Sequence, residues 1–259
     1  MEEMFKDILQ QAEGSVVGTT AEILTGQRSE EWFEKRRGKW TGSRFKDLMA
    51  KGRGSAMWGE KAKHYIFSRF MERLRGTPDS PIPQTWAMKR GTELEPYSIA
   101  AFEREYPLLQ IEEADFIPFD GLETAGASPD GIVVEKANGN KVGVFETKSR
   151  GEEGTYAHAF EKVHDRHPDF WQIQAEMVAT HTNVCFYCHY TDLHEPPFDL
   201  QVQLVERSPD HVIMLLEKIK EADAIVNGAL EIVGEDWKEL NPNKLTARII
   251  EARSFVYSR

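Results

Sequence analysis

The sequence predicts an α/β (α+β) domain with a central sheet flanked by helices, and three observations carry that prediction. Helical periodicity dominates the first hundred or so of the 259 residues. After Pro107 the chain turns to short apolar or alternating runs separated by Gly, Asn and Asp, which read as strands. Helical periodicity then returns near 170 and again from about 209, with no repeats and no low-complexity linker between the parts. A chain of this length can bury one large core, so a single domain over 1–259 is expected.

In chain order, residues 3–13 read as a short amphipathic helix, followed by a Gly/Thr-rich connection, and the two make up an N-terminal part spanning 1–27. Ser29 is a candidate N-cap, followed by Glu30 and Glu31 where the helix dipole favours acids. Gly38 ends that helix, and a second starts at Thr41-Gly42-Ser43. Further helices are expected over 58–74 and 84–106, with Pro96 kinking or restarting the latter. These make up a helical part over 28–106. Strands are expected at 115–119, 124–127, 131–135 and 142–148, with Asn138-Gly139-Asn140 as the turn between the last two. A helix over 170–180, strands over 184–190 and 199–205, and a long helix over 209–227 follow. The sheet thus falls in 107–206 and the C-terminal helices in 207–259.

The net charge of −11 argues against a nucleic-acid partner until its distribution is considered. Between Arg28 and Arg90 there are sixteen Lys/Arg against seven Asp/Glu, a local balance of +9, while the rest of the chain carries −20. Such segregation suggests one basic surface on a self-repelling, acidic body; a solvated basic helix face is the plainer alternative. The two cysteines, 185 and 188, fit a reducing cytoplasm rather than a disulfide framework. The acidic, amphipathic N-terminus does not read as a secretory signal, and no apolar run is long enough to span a bilayer, so no membrane association is expected.

Chemistry concentrates in two short segments. Ser128-Pro129-Asp130-Gly131 lies fifteen residues before Glu146-Thr147-Lys148, which ends an apolar strand. Side chains alternate along a strand, so Glu146 and Lys148 share a face. A carboxylate from one hairpin arm and a carboxylate beside an amine on the other are what metal-assisted phosphodiester hydrolysis requires. Asp130 and Glu146 would hold Mg²⁺, with Mn²⁺ able to substitute, and Lys148 would position or deprotonate the attacking water. Asp236-Trp237-Lys238 has the same local spacing but no acidic partner upstream. In Arg90-Gly91-Thr92-Glu93-Leu94-Glu95-Pro96, the two glutamates lie about 200° apart on a helix, so at most one faces the site, and Glu95 is preferred. Gln172 and Gln174 open the following helix as uncharged donors for a phosphate or a ligated carboxylate, or as ordinary surface residues.

Taken in order, Trp32, Arg36-Arg37-Gly38, Thr41-Gly42-Ser43, Arg90-Gly91-Thr92-Glu93-Leu94-Glu95, Ser128-Pro129-Asp130-Gly131, Glu146-Thr147-Lys148 and Gln172-Ile173-Gln174 form a recognisable series. That series resembles the phage lambda exonuclease (YqaJ-type viral recombinase) family of the PD-(D/E)XK nuclease superfamily, over roughly residues 28–230. The resemblance implies a restriction-endonuclease-like core with a mixed central sheet. It also implies a Mg²⁺-dependent 5′→3′ exonuclease that degrades one strand of duplex DNA from an end as a trimeric ring. By that resemblance the 3′ strand is handed to a single-strand annealing protein. The matching positions make Asp130, Glu146 and the Thr147 carbonyl the metal ligands, with Lys148 and Glu95 completing the catalytic set. Arg36 and Ser43 match positions that hold the terminal 5′-phosphate. An endonuclease or end-trimming nuclease of the same superfamily, and a non-catalytic DNA-end-binding protein, are the alternatives.

Other features are weaker. Cys185 and Cys188 lack a second pair for zinc or an iron–sulfur cluster. No Gly-rich loop with Lys-Ser/Thr is present to bind ATP phosphates. Trp32, Trp40 and Trp58 lie in the basic segment and belong either to the core or, in one case, against a base.

Overall fold

The computed structural model describes residues 30–52, 57–77, 85–149 and 156–259. The expected helix over 3–13 and the Ser29 cap lie outside these residues. Two sheets form the centre. The larger has order β2-β5-β6-β7-β8 and comprises Leu109–Glu112, Gly131–Glu135, Lys141–Ser149, Val184–Tyr190 and Leu200–Glu206. Its β6–β7 pair is parallel and its other pairs antiparallel, so the sheet is mixed, as the sequence resemblance implied.

A second, three-stranded sheet was not anticipated. It joins β1 (Trp40–Thr41), β4 (Leu122–Ala127) and β3 (Ile117–Phe119), with β1 and β4 parallel. Two-residue β1 is too short to leave a period in the sequence, and β2 hides in an apparently irregular stretch after Pro107.

Helices clothe the larger sheet on both faces. Helix α4 (Trp86–Glu105) buries Ala101 and Phe102 against Phe145 and Phe186. Helix α5 (Phe170–Thr180) places Ile173 and Met177 on the opposite face, against Val144, Cys185 and Tyr187. Alternation along β6 therefore sends Glu146 and Lys148 toward α5 and Thr147 toward α4. Pro96 neither ends nor restarts α4, which runs unbroken through it; burial of Leu94 and Ser98 around the proline secures the helix.

The basic region folds as α1 (Glu30–Arg36), a 3₁₀ turn Gly42–Arg44, α2 (Phe45–Leu48) and α3 (Glu60–Arg75). With α6 (Pro209–Val233) and α7 (Pro242–Tyr257), α2 and α3 enclose the largest core cluster. Trp40 and Trp58 are fully buried in it, so neither is free to stack on a base, and Trp32 lies beneath the Arg36 guanidinium at 4.0 Å. Part of the basic excess is also spent internally. Arg69 pairs with buried Glu72 at 2.6 Å, and Arg73 pairs with Asp223 at 2.6 Å while donating to the Gly38 carbonyl. Among the described residues no helix is long and apolar enough to cross a membrane.

Candidate active site

The site forms where β5 and β6 part. Their antiparallel ladder reaches the pair Gly131–Phe145, and beyond it the Asp130 carboxylate takes over, accepting from the Thr147 backbone N–H at 2.8 Å. Glu146, buried to 1 % exposure, accepts through Oε1 from Lys148 Nζ at 2.5 Å and from Gln172 Nε2 at 2.7 Å. The structure thus unites Asp130, Glu146, Thr147, Lys148 and Gln172, five of the expected residues.

Electrostatics explain what such an arrangement wants. Burial and the adjacent Glu146 carboxylate push the Asp130 carboxyl up to about 8. Burial also drives Glu176 well above the ordinary carboxylate range, reinforced by Glu146 and Asp130. For the Lys148 ammonium, burial works downward, but Glu146, Asp169 and Asp130 outweigh it and hold the pKa well above the usual lysine value. One ammonium therefore faces several acids, and Glu146 Oε2 is buried with no hydrogen-bond partner. An excess of negative charge around an unpartnered carboxylate oxygen is chemically suited to a hard divalent cation. Among the described residues no group of three or more His, Cys, Asp or Glu side chains is placed to hold a metal ion by itself. A cation here would complete its shell with a backbone carbonyl, water and substrate phosphate, the manner in which Mg²⁺ is commonly held.

Arg36, Ser43 and Glu95 lie on elements that pack beside this centre. Arg36 reaches it through Ser128, whose Oγ accepts from Nη1 at 2.8 Å, two residues before Asp130. Burial lowers the Arg36 guanidinium to about 10, still fully charged near neutrality, and it makes no ion pair among the described residues. Ser43 is exposed on the 3₁₀ turn. Its neighbour Gly42 packs so tightly that an added Cβ would lie 3.3 Å from the Ala127 Cβ and 3.8 Å from that of Ala175, which holds the turn between β4 and α5. Glu95 is half-buried, one turn before Ser98, whose Oγ lies 2.5 Å from Thr147 Oγ1. Glu93 instead is exposed and faces Arg90 at 3.9 Å, which favours Glu95 as the acid nearer the site.

Gln174 requires a correction: the structure does not bring it to the site. Its amide is consumed elsewhere, donating to the Glu206 carbonyl at 3.0 Å and accepting from the Ser208 N–H at 2.7 Å. Two residues along a helix amount to about 200°, so Gln172 and Gln174 cannot both face one sheet edge.

Several residues that matter here were missed. Glu176 lies one turn after Gln172 and accepts from its Nε2 at 2.8 Å; the i, i+4 spacing was the available signal. Asp169 caps α5 by position but accepts from the Tyr187 hydroxyl at 2.6 Å rather than from its own helix. Burial raises Asp169, yet Lys148 and that hydroxyl outweigh it and keep the carboxyl below its ordinary value. Only the parallel register of Glu146 with Tyr187 reveals this grouping, and register is invisible in the sequence.

Residues 31–183 match the YqaJ-like viral recombinase domain, more than half of the chain. The chain belongs to that family. It is similar in structure to an alkaline exonuclease (LHK-Exo) from Laribacter hongkongensis, at 25 % identity and a TM-score of 0.69, covering 82 % of this chain and all of that one. The complex of LHK-Exo with dAMP gives 26 % identity and the same TM-score and coverage. A phage-related exonuclease from Haemophilus somnus 129PT shares the fold at 13 % identity and a TM-score of 0.53, covering 84 % of this chain and 93 % of that one. No match was found among curated proteins. The resemblance read from the motif series is thereby borne out, as is the restriction-endonuclease-like fold class.

Proposed function

We propose that the protein is a divalent-cation-dependent exonuclease that degrades one strand of duplex DNA in the 5′→3′ direction, releasing 5′-mononucleotides. The exodeoxyribonuclease class follows from the family and from the alkaline exonuclease relatives. The observation that carries the divalent-cation reading is the meeting of Asp130, Glu146 and Lys148 at one buried site, where acids outnumber the single ammonium. The dAMP complex of the Laribacter enzyme supports a mononucleotide product.

Asp130, Glu146 and the Thr147 carbonyl would hold Mg²⁺, with Mn²⁺ substituting. When bound, the cation supplies neutralising charge at the scissile phosphate and lowers the pKa of a nearby water. Lys148, held as an ammonium between Glu146 and Asp169, orients the attacking water and offsets charge on the phosphate. Gln172 fixes the Glu146 carboxylate, and Glu95 supplies a further acid from the α4 side. Arg36, whose planar fork suits phosphate oxygens, anchors the terminal 5′-phosphate with Ser43. The Arg36–Ser128 bond sets that anchor at a fixed distance from Asp130, which would register each cut one nucleotide from the end. A trimeric ring around the duplex and a single-strand annealing partner complete this reading.

The test is digestion of linear duplex DNA labelled at one 5′ end, comparing 5′-phosphate with 5′-hydroxyl ends in Mg²⁺, with a closed circle as control. Mononucleotides from phosphorylated ends are expected. Cleavage of the circle would make the enzyme an endonuclease, and binding without any cleavage would make it an end-binding protein.

A further inference from the structure

One buried acid at the site has no part in the reaction proposed above. Glu176 is 1 % exposed on α5, the helix that packs Ile173 and Met177 against the sheet. Its Oε1 accepts from Gln172 Nε2 at 2.8 Å, and its Oε2 is buried with no hydrogen-bond partner. A carboxyl group sealed from water with one neutral donor is costly in either protonation state, and an apolar residue would avoid that cost. Folding alone gives no reason for an acid at this position.

The geometry of its single partner supplies one. A glutamine amide nitrogen has two hydrogens, and at Gln172 they go to Glu146 Oε1 at 2.7 Å and Glu176 Oε1 at 2.8 Å. The Glu146 carboxylate opposes a flip, because the amide carbonyl oxygen would then meet a carboxylate oxygen, and the Glu176 oxygen, by taking the second hydrogen, fixes the plane of the amide. With Glu146 alone, one hydrogen would suffice and the group could turn about its last torsion.

We propose that Glu176 is a positioning residue that keys the Gln172 amide, nitrogen inward on Glu146 and carbonyl oxygen outward on the open side of the site. That outward oxygen is an acceptor for the attacking water, complementing the Lys148 donor; this use of it rests on the nuclease reading given above. Glu176 thereby acts on catalysis through Gln172 without touching substrate.

The test compares Glu176→Gln, which keeps an acceptor oxygen, with Glu176→Leu, which removes it. The first readout is the Gln172 side-chain NH₂ resonance pair in ¹⁵N-labelled protein without cation or DNA, assigned by its loss in Gln172→Leu. The pair should stay separated and protected in the native chain and in Glu176→Gln, and collapse toward free-amide values in Glu176→Leu. Hydrolysis by Glu176→Leu should fall about 10–100-fold in kcat with KM unchanged, as for other outer partners of ligating groups. Its melting temperature should be no lower than that of the native chain, an outcome that a purely structural role forbids. In a Gln172→Leu background the second substitution should cost no further rate. Unchanged Gln172 resonances, additive losses or an unfolded Glu176→Leu chain would each overturn the proposal. Because the amide signal is read without substrate, a chain that cuts nothing yet keeps its amide keyed would refute the nuclease reading and leave the positioning role standing.

Discussion

The Thr147 backbone N–H donates to the Asp130 carboxylate at 2.8 Å, so the last rung between β5 and β6 is made by a side chain rather than a carbonyl. This substitution pins Asp130 beside Glu146 on a rigid sheet, where burial and like charge drive the Asp130 carboxyl up to about 8. Folding thus creates electrostatic tension that the proposed divalent cation would relieve.

The first consequence concerns the two proposed ligands. Asp130→Ala and Glu146→Ala should each reduce the hydrolysis rate by on the order of a thousandfold, the loss of several kcal/mol of transition-state charge stabilisation. End binding should persist, since Arg36 and Ser43 are untouched. Single-turnover digestion paired with a mobility-shift titration separates the two effects. Turnover retained by both variants would remove these residues from the catalytic role.

A pH dependence follows from the raised Asp130 carboxyl. Between its ordinary value of 3.8 and about 8, the folded chain keeps a proton that the unfolded chain has released. Without cation, stability should therefore fall as pH rises through that window and level off above it. Cation binds the ionised form, so the gain in melting temperature from Mg²⁺ should grow as pH rises toward about 8 and level off above it. Asp130→Asn keeps an acceptor for Thr147 and should flatten both trends. A cation-induced shift that is constant from pH 6 to pH 9 would contradict the assignment.

Arg36 gives a prediction about end chemistry. Its guanidinium already donates to Ser128 and has no carboxylate partner among the described residues, which leaves its charge for a phosphate. Arg36→Ala should weaken action on 5′-phosphate ends by about 10–100-fold, corresponding to a charged hydrogen bond of roughly 1.5–3 kcal/mol. Activity on 5′-hydroxyl ends should change little. Arg36→Lys should not restore the preference, because a point charge cannot grip two oxygens with a fixed fork. Equal losses on both ends would place Arg36 in the fold rather than the phosphate site.

How much of this was legible in the sequence depends on whether a feature is local. Glu146 and Lys148 share a face because strands alternate, and Asp130 meets them because a hairpin joins the two strands; both facts are written in local order. The Asp169–Tyr187 pair was not legible, since it depends on which strand lies parallel to β6. Charge counting overstated the free basic surface, because Arg69 and Arg73 find their acids, Glu72 and Asp223, inside the fold. Gln172 and Gln174 looked equivalent on paper, and only the docking angle of α5 distinguishes them.

That distinction can be measured. Gln174 ties α5 to the turn after β8 through the Glu206 carbonyl and the Ser208 N–H, and its side chain is fully buried. Gln174→Ala would strand both backbone groups, at a cost of about 1–3 kcal/mol for an unsatisfied buried partner. Its melting temperature should drop by several degrees while kcat on phosphorylated duplex ends stays within about twofold of native, as expected of a site remote from the chemistry. Gln172→Ala should show the opposite pattern. Its amide holds two buried acids at the sheet edge, so rate should fall by about tenfold or more. Thermal melts and steady-state kinetics on the two single variants decide the matter. A Gln174→Ala chain that melts normally but loses activity would return that residue to the site and displace Gln172 from it.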